Sequence, residues 1–343
     1  PGDSVTCTFT YVKRGHILID KVTVPTGDPQ SFGFALTGGP DAVDSATSLT
    51  DDAAAWDSGP VRAGTYAAVE TDSGEMWDLS ATSCDDGSEP GAIDLEPGET
   101  VTCTFTNTKL ATITIEKGSD PAGGTGFGFT ATPPVGDPTP FTLDDGASRT
   151  FGSLPPNQTY GFAETGLPTA DPAWELTDIS CRGSAGVAVD LPNASVDVTP
   201  LPGEDVTCTF SNTQLGRIIV EKTAIGGDDA FDFFSDPELP GTTAGTFSLT
   251  TSGGTASRTF DVPTGIWGVQ ELDPPADWVF TSLACSDEDD PTGGSVVSGS
   301  AAAIDVQPGE TVTCTFSNPQ LGRIIEEKTA IGGDDAFDFF SDP

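Results

Sequence analysis

The nine-residue string PGETVTCTF appears four times with small variations, at 1–9, 97–105, 202–210 and 308–316. It places cysteines at Cys7, Cys103, Cys208 and Cys314, roughly a hundred residues apart, the length of one small domain. A lysine follows each copy at the same remove: Lys21, Lys117, Lys222 and Lys328. A chain written this way folds as a tandem array of one module. Such an array suits a protein that spans distance and carries load, so no enzymatic turnover is expected.

The repeats divide the chain into residues 1–12, the last strand of a preceding truncated module, then modules 13–109, 110–213 and 214–319, then residues 320–343, the start of a following one. On this reading the chain is a window of a longer protein whose targeting and anchoring segments lie outside it. The stretch QLGRIIVEKTAIGGDDAFDFFSDP at 214–237 returns at 320–343 with the single change of Val220 to Glu326. Near-identity over that length points to recent duplication.

The strand signals are local. In the second module ATITIEK (111–117) alternates apolar and polar residues, and GFGFTAT, FTLDDG, SRTFGSL, TYGFAE, WELTDISC and VTCTFSN follow with turn residues between them. Seven or so short strands in a hundred residues is the pattern of a β-sandwich. The expected fold is therefore all-β, a tandem array of Ig-like sandwiches. The connectors TKL, TQL and PQL are too short and too poor in Gly and Ser to be flexible tethers, which predicts an extended rod.

Charge excludes several partners. With 53 acidic and 13 basic residues the chain carries a formal charge of −40. It lacks the basic patches that nucleic acid and anionic membranes require. No apolar run approaches the ~20 residues of a spanning helix, so no direct membrane insertion is expected in this window. The regular cysteines pair off within each complete module: Cys84 with Cys103, Cys181 with Cys208, Cys285 with Cys314. Disulfides joining adjacent late strands imply an extracellular or cell-surface location, and each contributes roughly 3 kcal/mol by loop-closure entropy. Cys7 is left over. With no CxxC pair and a single histidine, His16, no metal site is expected.

Strand parity gathers a second set. Cys208, Phe210 and Asn212 share one face; so do Ile113, Ile115 and Lys117, and Tyr160, Phe162 and Glu164. Each strand ends an apolar face with one polar residue. The set recurs as Lys21, Glu70 and Asn107, and as Lys222, Glu271 and Asn318. Each of these groups is costly to bury alone.

The string TYGFAETGLP, with IEK before it and FSN after it, resembles the collagen-adhesin B-type (SpaA-like, prealbumin-like) domains of bacterial surface proteins and pili. The resemblance covers nearly the whole of each complete module. It implies a prealbumin-like fold and an intramolecular isopeptide bond from a first-strand lysine to a last-strand asparagine, assisted by the glutamate of a Y-x-x-x-E motif. Carried over residue by residue, Lys21 bonds to Asn107 with Glu70 assisting, Lys117 to Asn212 with Glu164, and Lys222 to Asn318 with Glu271. By the same entropy arithmetic each closed loop is worth about 4–5 kcal/mol. The chemistry is a single self-processing event. The alternative at each site is a strand-end lysine paired with the glutamate and an asparagine capping a turn. At the position after Cys7 the asparagine is replaced by Tyr11, so the preceding segment lacks this bond.

Other features carry less. Trp77, Trp174 and Trp278 stand at one position before the middle cysteines and read as packing residues rather than a sugar-binding face. The acidic pairs Asp51–Asp52 and Asp144–Asp145, with Asp228–Asp229 and the run 287–290, read as solvated turns. None has the spacing of a dedicated calcium loop, so calcium at acidic turns is the one weak cofactor possibility. Asn157 and Asn193 match the glycosylation sequon. The expected function is a structural repeat region of an extracellular filament or cell-surface stalk, whose partners are other copies or neighbouring modules. The alternatives are adhesin repeats for a host, matrix or carbohydrate ligand, and a spacer in a larger secreted enzyme.

Overall fold

A computed structural model describes residues 2–133, 135, 140–183, 186–287, 294–329, 331–333, 336 and 338–339. It is all-β, with six sheets in three tandem prealbumin-like sandwiches. In module one the first sheet runs Trp56–Asp57, His16–Val24, Thr100–Lys109, Trp77–Cys84, and the second runs Val43–Leu49, Phe32–Gly38, Gly64–Asp72, Ile93–Leu95. Modules two and three repeat this order and extend the second sheet by a fifth strand, Val187–Asp190 and Val296–Ser298.

One pairing governs the rest. The opening strand of each module lies parallel to its closing strand: His16–Val24 on Thr100–Lys109, Ala111–Asp120 on Asp205–Gln214, Gly216–Ile225 on Thr311–Pro319. The two ends of every module are thus hydrogen-bonded neighbours at the centre of a four-stranded sheet. In register Lys21 faces Phe105, Lys117 faces Phe210 and Lys222 faces Phe316. Both strands alternate buried and half-buried residues, so each lysine and each asparagine points into the sandwich with its neighbouring Ile, Val and Phe side chains.

The cores are aromatic and repeat one plan. A phenylalanine from the second sheet meets the closing-strand phenylalanine edge-on: Phe34 with Phe105, Phe129 with Phe210, Phe233 with Phe316, at 5.2, 5.2 and 5.1 Å between ring centres. Trp77, Trp174 and Trp278 are buried and pack edge-on against Phe32, Phe127 and Phe231. The tryptophans are core residues, each closing one end of its sandwich.

Two strands of module two lie outside the sequence expectation. Val187–Asp190 and Ser195–Val198 form a hairpin around the short 3-10 turn Leu191–Asn193, on the edge of the second sheet. Val187–Asp190 is largely exposed on both faces, which weakens its period-two pattern. Residues 2–14 and 321–329 form no strand and are exposed. In each module the strand equivalent to the first segment is flanked on both sides, by the opening strand and by the Trp-bearing strand. Cys7 has neither neighbour and is a free, exposed thiol.

Truncation of Phe129, which touches both Phe141 and Phe210, is expected to cost module two about 3–5 kcal/mol. Amide exchange on Phe129→Ala checks this: protection falls across 111–213 and is retained across 16–109.

Candidate cross-linking site

Each module carries one cluster of lysine, glutamate and asparagine side chains in a mostly apolar interior. Lys21, Lys117 and Lys222 are at most 2% exposed, and Asn107, Asn212 and Asn318 at most 1%. The lysine and asparagine come from the paired opening and closing strands. The glutamate comes from the facing sheet: Glu70 on Gly64–Asp72, Glu164 on Tyr160–Gly166, Glu271 on Gly265–Glu271. Glu164 and Glu271 are buried and Glu70 is half-buried. The nine residues named from strand parity therefore meet as three separate triads.

In every triad the asparagine amide donates to the glutamate: Asn107 Nδ2 to Glu70 Oε1 at 2.7 Å, Asn212 Nδ2 to Glu164 Oε2 at 2.9 Å, Asn318 Nδ2 to Glu271 Oε1 at 2.7 Å. The second carboxyl oxygen of each glutamate meets no hydrogen-bond partner, and neither does Oδ1 of Asn107 or Asn212. A buried acceptor without a donor costs roughly 1–3 kcal/mol. A protonated carboxyl supplies a donor to this cluster where an ionised one supplies none.

The electrostatics favour neutral groups. Burial pushes the carboxyls of Glu70, Glu164 and Glu271 above their usual range, against the opposing pull of the lysine and the asparagine N–H. Burial also lowers the lysines: Lys21 falls below its ordinary value, and Lys117 and Lys222 are each brought down to about 8. Each amine sits over an aromatic face, Phe32 at 4.1 Å, Phe127 at 4.0 Å and Phe231 at 4.3 Å, which offsets part of the desolvation of the cation.

The modules differ in where the amine points. Lys222 Nζ donates to Asn318 Oδ1 at 2.5 Å and more weakly to the carbonyls of Phe316 at 3.3 Å and Thr223 at 3.5 Å, and lies 3.6 Å from Glu271 Oε1. Lys21 Nζ instead donates to the carbonyl of Val22 at 2.6 Å and to that of Phe105 at 3.3 Å. Lys117 Nζ likewise bonds the carbonyl of Gly118, and that of Phe210 at 3.2 Å.

The motif tyrosine orients the glutamate strand. Tyr66 and Tyr160 are buried and donate their hydroxyls to the carbonyls of Arg62 and Pro155. Module three departs from the motif: Trp267 stands four residues before Glu271 and donates its indole N–H to the carbonyl of Pro263 at 3.0 Å. A different ring performs the same anchoring.

The cysteines pair as Cys84–Cys103, Cys181–Cys208 and Cys285–Cys314, with sequence separations of 19, 27 and 29. Cys84 lies directly opposite Cys103, and Cys285 directly opposite Cys314, across antiparallel strands. The acidic turns use their carboxylates on backbone N–H groups. Asp51 accepts from Thr23 and Gly27, Asp145 from Ser119 and Gly123, and Asp228 from Gly253 and Gly254. Asp229 accepts the Trp278 indole N–H. Positions 288–290 of the last acidic run lie outside the described residues. Among the described residues no cluster of His, Cys, Asp or Glu has the makings of a metal site, and no helix is long and apolar enough to cross a membrane.

Three repeats of a two-sheet sandwich, with parallel terminal strands and a buried Lys–Glu–Asn set, define a prealbumin-like tandem-domain protein. The model of the SpaA-type prealbumin-like fold domain matches residues 17–109, 113–214 and 218–320, and the chain belongs to that family. Solved structures with a similar chain include the Bacillus anthracis TIE protein, at 14% identity and a TM-score of 0.38 over 90% of this chain and 51% of that one. They also include BcpA, the major pilin subunit of Bacillus cereus, at 13% identity and a TM-score of 0.37 over 90% of this chain and 100% of that one. The full-length major pilin SpaD of Corynebacterium diphtheriae aligns at 11% identity and a TM-score of 0.29, over 91% and 98%. The chain spans about half the length of the TIE protein. Among curated proteins none matches.

An amine brought down to about 8 in the fold, against an ordinary 10.5, sets a pH dependence for any unbonded form. Between those values the unfolded chain holds a proton that the fold releases. Stability therefore rises with pH across that window and its lysine contribution is flat below it. Denaturant titrations of Asn318→Ala from pH 7 to 10.5 are expected to show the rise, and Lys222→Met in the same background to abolish it.

Proposed function

We propose that this chain is a structural repeat region of an extracellular filament or cell-surface stalk, with each module locked by one Lys–Asn isopeptide bond and one disulfide. The observation that carries the reading is the threefold recurrence of an amine, an amide and a carboxyl gathered between two apolar sheets, with the second carboxyl oxygen left without a partner each time. Family membership and the disulfides support the setting, and the formal charge of −40 suits a soluble surface that repels its neighbours. Partners on this reading are other copies or adjoining modules. The same triad and core plan serve all three modules, which favours a repeated mechanical element over an adhesin with one specialised ligand face.

The chemistry follows from the cluster. The neutral lysine amine attacks the asparagine side-chain carbon, a C–N bond forms, and the bond to Nδ2 breaks. The attacking nitrogen gives up one proton and the leaving nitrogen gains one, so that ammonia departs and the product is a secondary amide. The glutamate carboxyl donates to the amide oxygen as charge develops there and carries the proton between the two nitrogens. Burial among the flanking phenylalanines lowers the amine and raises the acid, which enlarges the fraction of each in its neutral form.

The covalent link joins strands that are already adjacent, so its value is mechanical. Tension applied to the two ends of a module enters at the opening and closing strands. A bond between them carries that load past the hydrogen-bonded ladder and the aromatic core.

Intact mass after disulfide reduction tests the reading. The expected mass is that of the sequence less three ammonias. Glu164→Gln is expected to retain one ammonia, with the deficit lost from the module-two peptides alone. A reduced mass equal to the unmodified sequence contradicts the proposal.

A further inference from the structure

The turn aspartates of modules one and two do more than cap a loop. In module one Asp51 Oδ1 accepts the N–H of Thr23 at 2.5 Å. That N–H shares a peptide unit with the carbonyl of Val22, which holds the Lys21 amine at 2.6 Å. In module two Asp145 Oδ1 accepts the N–H of Ser119 at 2.7 Å, and the same peptide's carbonyl, that of Gly118, holds the Lys117 amine. A single peptide is thus clamped between a carboxylate and a lysine nitrogen. Hydrogen bonds arranged in a chain polarise one another, so the carboxylate strengthens the carbonyl's grip on the amine.

Module three lacks the aspartate. The equivalent N–H, that of Ala224, donates to the carbonyl of Gly254 at 2.8 Å, a neutral acceptor. The equivalent carbonyl, Thr223 O, is 3.5 Å from Lys222 Nζ. There the amine bonds Asn318 Oδ1. The change at the turn and the change in aim of the amine go together in all three modules. Asn107 and Asn212 keep an unpartnered Oδ1 where the aspartate is present, and Asn318 does not where it is absent.

We propose that Asp51 and Asp145 are positioning residues that hold the lysine amine off its asparagine through the intervening peptide, so that module three forms its cross-link ahead of modules one and two. This inference rests on the isopeptide reading above. The charged groups around each amine are few. Lys21 meets Glu70 from the facing sheet, Asp51 from the turn and Asp20 on its own strand. Lys117 meets Glu164 and Asp145, while Lys222 meets Glu271. In modules one and two the aspartate favours the ammonium, which cannot attack; in module three no turn carboxylate does so.

The test uses the whole chain, recovered denatured and never folded, then refolded with its disulfides reformed at set pH. Timed samples are digested, and the branched Lys–Asn peptide of each module is quantified by mass spectrometry. In the wild-type chain at pH 7 the Lys222–Asn318 peptide is expected to appear about three- to tenfold faster than the other two, on the scale of a modest gain in positioning, because its amine already bonds the asparagine. Asp145→Asn is expected to speed module two alone, more at pH 7 than at pH 10, where the amine is already neutral. Asp145→Glu keeps the charge and is expected to remain slow. Loss of a turn cap alone would slow or spare module two in both variants without that pH signature. If Asp145→Asn does not fold, the wild-type order of the three modules decides the matter. Equal rates in all three modules, or no acceleration in Asp145→Asn, overturn this inference and leave the cross-links standing. Absence of every branched peptide overturns the reading beneath it.

Discussion

An amine, a carboxyl and an amide buried together between two sheets are the constraint on which each module turns. Water would solvate all three better than a core of Phe, Ile and Val does. The fold tolerates them because burial moves the two ionisable groups toward neutrality and the asparagine N–H bonds the glutamate. It does not satisfy them fully, since the second glutamate oxygen remains without a donor in every module. On the proposed cross-link, a site that is costly as separate groups would become less so once the amine and amide are one secondary amide. The strain of burial and the readiness to react have the same origin.

The parallel pairing of first and last strands gives that chemistry its consequence. The lysine and asparagine stand two register positions apart on adjacent strands, and the glutamate descends from the opposite sheet. The disulfide lies on the other side of the closing strand, joining it to the Trp-bearing strand. The closing strand is therefore held by sulfur on one flank and by the parallel ladder of the opening strand on the other, where the proposed cross-link would add a second covalent restraint. The repeated string that delimits the modules in sequence is the strand at which these two restraints meet.

Much of this was legible in the sequence for simple reasons. Period-two alternation exposes which residues share a face, and a lysine, glutamate or asparagine at the end of a buried face stands out against Ile and Phe. The same alternation located most strands, and it missed Val187–Asp190 because an edge strand exposed on both faces has no apolar period to read. The roles of Asp51 and Asp145 were hidden for another reason. Acidic residues in a DD turn look like solvated surface, and nothing in their spacing reveals that their carboxylates bind the peptide beside a buried lysine. Trp267 in place of the motif tyrosine was likewise invisible as an equivalent, because the shared property is a ring N–H or O–H reaching a carbonyl.

The central claim is that the lysine and asparagine of each module are one covalent unit. An atomic-resolution crystal structure of the native chain tests it most directly, through the separation of Lys222 Nζ from Asn318 Cγ and its counterparts. The account predicts continuous density at an amide C–N length of about 1.33 Å with no Nδ2 atom on the asparagine. A non-bonded separation with the asparagine amide intact would contradict it.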